Sequence, residues 1–87
     1  ENPNMLHVEH IYPSAREIAE TLVLAMSASG MSIEELASAS KLSLPALTRC
    51  LNGDSMDWEA LVATSTALGR TPSSVIQETE TRKAQHD

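Results

Sequence analysis

"MSIEELASASKLSLPALTRCLNG", residues 31–53, decides the fold of this 87-residue chain. Ser32 and Glu35 have the spacing of a capping box, in which each side chain satisfies the other residue's backbone N–H at the start of a helix. Ile33, Leu36 and Ala37 then recur on one face, and the pattern ends near Ala39. "SKL", residues 40–42, reads as a turn. Ser43 caps the next helix, with Pro45 in its first turn, where a missing N–H costs little, and Gly53 stops it. Leu36, Leu42 and Leu47 are placed to clamp the two short helices together, and Ala37 is small enough for their close crossing. With Ser43 as cap, the first residues of the second helix point outward.

The flanking sequence repeats this grammar. "SARE", residues 14–17, is a second capping box, followed by Ala15, Ile18, Ala19, Leu22, Ala25 and Met26 at helical spacing and a stop at Gly30. Asp57 caps a helix with Trp58, Leu61, Val62, Ser65 and Leu68 on one face and Gly69 as its stop. In "TPSSVIQE", Thr71 is the cap, Pro72 the first position, and Val75 and Ile76 face inward. From Thr79 onward the chain is polar and is expected to fray. Residues 1–12 show no helical period. "MLHVEHIY" alternates as an extended arm or short strand would, Pro13 ends it, and the leading "ENPN" reads as an addition ahead of Met5. The expected organisation is therefore an arm at 1–13, an all-α domain of five short helices at 14–78, and a polar tail at 79–87. No helix is long enough to stand alone, so packing must hold them.

Composition suits a small globular domain, with 41% hydrophobic and 21% charged residues. Trp58 and Tyr12 are the only aromatics, so Leu, Ile, Val, Ala and Met must build the core. Six Lys and Arg against twelve Asp and Glu leave a net charge of −6, which opposes binding to nucleic acid. The distribution qualifies that total: residues 40–53 hold two bases, Lys41 and Arg49, and no acid. A single cysteine, Cys50, excludes an internal disulfide and points to a reducing, cytoplasmic setting. No apolar run approaches the about 20 residues needed to span a bilayer.

The order of these signals over residues 14–78 resembles the lambda-repressor-like, Cro-type helix-turn-helix domains of phage repressors and bacterial regulators. The similarity lies in "MSIEELASASKLSLPALTRCLNG" and in "WEALVATSTALGRTPSSVI", residues 58–76. Family members read Leu-Ser-x-x-x-Leu-Ala, a Gly-containing turn, a Ser-capped recognition helix and a Gly, then a helix ending Ala-Leu-Gly and a short final helix. The resemblance implies a sequence-specific, DNA-binding transcriptional regulator, acting as a homodimer on double-stranded DNA, with no cofactor and no membrane association. It implies that Ser43, Leu44, Pro45, Thr48 and Arg49 touch bases or adjoining phosphates in the major groove. Asn52 falls at a backbone-facing position, Ser32 where phosphate is met, and Lys41 in the turn as a phosphate contact. The arm at 5–12, or the last helix with Val75, Ile76 and the tail, would form the dimer surface.

Four features depart from the family pattern. Lys41 stands where Gly is usual and must take positive φ or reshape the turn. Leu44 and Pro45 replace hydrogen-bonding side chains, which limits readout there to apolar contact with a thymine methyl. Ile33 occupies a position where a polar phosphate contact is frequent. Asp54, Asp57 and Glu59 follow the recognition helix where relatives often carry Lys or Arg.

Each candidate also has a plainer reading. Arg49 has the fork that matches guanine O6 and N7, yet an arginine paired with a carboxylate on a solvated face reads the same. Lys41 could be a solvated turn lysine, and Ser43 is explained by its cap alone. Cys50 is best read as a small apolar core residue. His7 and His10 have no third ligand nearby, so no metal site is expected. The paired acids Glu34 and Glu35 suit the start of a helix. No Gly-rich phosphate loop or nucleophile with a base partner is present, so an enzyme is not expected. The alternative function is a protein-interaction module that keeps this scaffold but has lost DNA binding.

Overall fold

The computed structural model describes residues 13–86, which form five helices: α1 (Ala15–Ala28), α2 (Ile33–Ser40), α3 (Leu44–Asn52), α4 (Trp58–Ala67) and α5 (Pro72–His86). Of the arm expected at residues 1–13, residues 1–12, with His7 and His10, lie outside the described residues. All five caps fall where the sequence puts them. Ser14 and Ser32 form reciprocal boxes with Glu17 and Glu35. The Ser43 hydroxyl accepts from the Ala46 N–H at 3.3 Å, and the Asp57 carboxylate from that of Ala60 at 2.8 Å. Thr71 and Ser74 cap each other's backbone, both at 3.1 Å.

The turns that end α1 to α4 share one closure. In each, a residue at positive φ donates its N–H three residues back, and the next residue donates five back. Gly30, Gly53 and Gly69 fill that position after α1, α3 and α4, at φ of 71°, 81° and 75°. After α2 it is Lys41, at φ 63°, and the Leu42 N–H reaches the Ala37 carbonyl at 3.2 Å. The turn therefore keeps the glycine geometry and carries the strain of a Cβ in it, about 1 kcal/mol.

Leu22, Cys50, Leu61 and Val75, from four helices, form the centre of the core, with Ile18, Leu51, Met56, Leu68 and Ile76 packed around it. Leu36 on α2 and Leu47 on α3 are both fully buried, as expected of core residues on the two helices. Val75 is enclosed in this core and so is not available as dimer surface. Trp58 departs from its expected inward position and is 64% exposed. It is the first residue of α4, and a side chain there leans back over the preceding turn, away from Leu61 and Ser65.

The helix also continues where fraying was expected, because polar contacts hold residues 79–83 against α1. Thr79 is buried, and its hydroxyl donates to the Val75 carbonyl at 2.8 Å. Its one proton being so used, the 2.5 Å contact with Thr21 must be donated by Thr21. Thr21 in turn accepts from Arg82 Nη2 at 2.5 Å, and Arg82 and Lys83 pair with Glu20 and Glu17 at 3.7 and 3.3 Å. The Ser14 backbone N–H, helped by Lys83, holds the Glu17 carboxyl below its ordinary pKa. The resulting stabilisation is present at neutral pH and is lost as acid protonates the carboxylate.

Gly53 serves a second purpose. A Cβ there would stand 2.7 Å from Arg16 Cα, so the end of α3 lies directly against the first turn of α1. Gly53→Ala is expected to lose about 2–4 kcal/mol of stability, from backbone strain and the steric clash together. Lys41→Gly, in open space at the same backbone conformation, is expected to gain about 0.5–1 kcal/mol. Urea unfolding of the two variants checks both signs.

Candidate nucleic-acid interface

Packing fixes which side of α3 meets solvent. Leu47 and Cys50 are buried at 0% and 1% exposure, and Leu51 is half-buried, so the opposite side faces out. That side carries Leu44, Pro45, Thr48, Arg49 and Asn52, all exposed, with Ser43 and Lys41 exposed just ahead of the helix. These positions recur at one, four, five and eight residues from Leu44 and form one face. Ser32 is also exposed but caps the far end of α2, about 12 Å away along the eight residues of that helix. Seven of the eight sequence-derived candidates are thus brought together, and Ser32 stands apart.

Hydrogen bonds assign what each side chain has left. The Thr48 hydroxyl donates to the Leu44 carbonyl at 2.8 Å, so in this rotamer it presents only acceptor lone pairs and is unsuited to phosphate. The Ser43 and Ser32 oxygens accept from the backbone of Ala46 and Glu35, which leaves both hydroxyl protons free to donate outward. Leu44 is 42% exposed, an apolar contact at the helix entry. Among the described residues neither Lys41 nor Arg49 takes part in an ion pair, so the planar donor fork of Arg49 has no carboxylate partner.

Acids stand near this face, as the sequence suggested. Arg49 shares a shallow cleft of about 210 Å³ with Leu42, Ala46, Ser55, Asp57, Glu59 and Ala60. Asp57 is held at the start of α4 by its capping bond. The cleft therefore sets two carboxylates beside the arginine without a direct salt bridge. Cys50 lies on the inner side, where burial, and secondarily the charge of Asp57, push its thiol pKa up, which leaves it as a small apolar core residue.

Two residues outside the sequence-derived set border the region. Trp58 lies between Asp57 and Glu59 and is largely exposed. Arg16 is exposed on the first turn of α1, whose backbone abuts Gly53 at the end of α3. No local signal marks Arg16, since its place beside α3 depends on a contact between residues far apart in the chain. Among the described residues no group of three or more His, Cys, Asp or Glu is placed to hold a metal ion. Nor is any described helix long and apolar enough to cross a membrane.

The arrangement has a counterpart among solved structures. The chain is similar to the clp gene regulator ClgR from Corynebacterium glutamicum, at 25% sequence identity and a TM-score of 0.73, over 83% of this chain and 78% of that one. No family model matches the chain, and no curated protein does so at a significant level. The all-α architecture inferred from the sequence is thus also that of a gene regulator.

Proposed function

We propose that this domain is a sequence-specific DNA-binding transcriptional regulator that lays α3 in the major groove, in the manner of phage repressors. The observation that carries this reading is the outer face of α3, with Arg49 exposed on it and without an ion-pair partner among the described residues. Arg49 reads a guanine edge, and Leu44 and Pro45 supply apolar contact to neighbouring bases. Lys41, Ser43 and Ser32 contact phosphates that fix the helix in register, and Asn52 faces the backbone at the helix end. Likeness to the gene regulator ClgR supports the same reading.

The active form is a homodimer on two half-sites of double-stranded DNA. One domain with so few bases gains little counterion release, and two-fold pairing doubles the phosphate contacts. The acids bordering Arg49 strengthen this dependence by lowering the affinity of a single domain. No cofactor is required.

A protein-interaction module is favoured by one set of observations: Trp58 is exposed between Asp57 and Glu59, and Leu44 is exposed at the entry of α3. Exposed aromatic and aliphatic anchors beside acids suit a basic protein partner. Selection from a random-sequence duplex pool at about 50 mM salt, where electrostatic affinity is strong, separates the two. The wild-type protein is expected to enrich an inverted repeat. Arg49→Ala is expected to lose preference at one base pair per half-site, about 1–3 kcal/mol of discrimination. Failure of the wild type to retain any duplex favours the interaction module, and equal enrichment by Arg49→Ala removes that residue as the reader.

A further inference from the structure

The chain has six Lys and Arg, all within the described residues, and the fold divides them evenly. Arg70 pairs with Glu78, Arg82 with Glu20 and Lys83 with Glu17. The three without an ion pair among the described residues are Arg16, Lys41 and Arg49. Lys41 occupies the turn that enters α3, Arg49 its outer face, and Arg16 the turn of α1 pressed against Gly53 where α3 ends. The unpaired cations of an acidic protein are therefore gathered around one helix.

Arg16 is left in this state by its neighbours' other commitments. Glu20, four residues along α1 and the natural helical partner, is paired with Arg82 at 3.7 Å. Glu17 accepts from the Ser14 N–H at 2.8 Å and pairs with Lys83. The nine residues of α3 span about 13 Å, close to the major groove's width of about 12 Å. A helix of that length laid across the groove would bring cations at its two ends over phosphates on opposite sides.

We infer that Arg16 is a phosphate-binding residue that, with Lys41, clamps α3 between the two DNA backbones. This rests on the DNA-binding reading above. It gives Gly53 a role beyond the turn, because only a residue without Cβ lets α1 bring Arg16 to the end of α3.

The salt dependence of binding to a random-sequence 24-base-pair duplex tests the inference. Replacing Arg16 by Gln or Ala removes one phosphate contact. Each is expected to lower the slope of log K against log salt by about 0.9 and to weaken affinity several-fold, while Arg16→Lys retains the wild-type slope. Arg70→Gln, which removes the same charge away from α3, is expected to leave the slope unchanged. Slopes and affinities for Arg16→Gln and Arg16→Ala equal to wild type, or lowered only as much as by Arg70→Gln, overturn the role of Arg16 while DNA binding by α3 stands. A wild-type protein that binds no duplex even at about 20 mM salt, where such binding is strongest, overturns both.

Discussion

The close approach of α3 to α1 at Gly53 is the constraint on which the rest of the domain depends. A single residue ends one helix at positive φ and, lacking Cβ, admits the backbone of another. With the exit of α3 fixed there, and its entry fixed by the Lys41 turn and the Ser43 cap, Leu47 and Cys50 can point only into the core. The outer face then follows from helical geometry rather than from any property of the residues on it. A core without aromatics tolerates this because Leu22, Cys50, Leu61 and Val75 are small enough to interlock where four helices meet.

Much of this was legible in the sequence, because helix ends are written in local chemistry. The capping residues Ser14, Ser32, Ser43, Asp57 and Thr71 are recognisable within four-residue windows, as are the glycine stops. Lys41 was legible in part: standing where the resembling family carries Gly, it had either to take positive φ or to reshape the turn, and the backbone takes the first course. Seven candidate site residues cluster because they lie within one turn-and-helix unit.

What the sequence did not reveal depends on contacts between distant residues. The continuation of α5 to His86 rests on Thr21, Thr79 and Arg82 meeting across 58 to 61 residues of chain. A polar stretch gives no local sign that its partners wait on another helix. Trp58 was misplaced because periodicity assigns a face without regard to position, and at the first residue of a helix the side chain leans past the core. The place of Arg16 next to α3 was hidden for the same reason as the helix extension. Net charge is likewise a bulk quantity. The −6 total says little about a surface on which, among the described residues, half the cations are consumed in ion pairs and the other half surround one helix.

The central claim is that the solvent face of α3 meets a DNA duplex. Amide chemical-shift mapping of the labelled protein, titrated with duplex at low salt, addresses it directly. The account predicts perturbations concentrated on Lys41 to Gly53, with smaller ones at Ser32 and Arg16 and none along Thr79 to Ala84. Perturbations confined to the α1–α5 side, with the amides of α3 unmoved by saturating duplex, would contradict it.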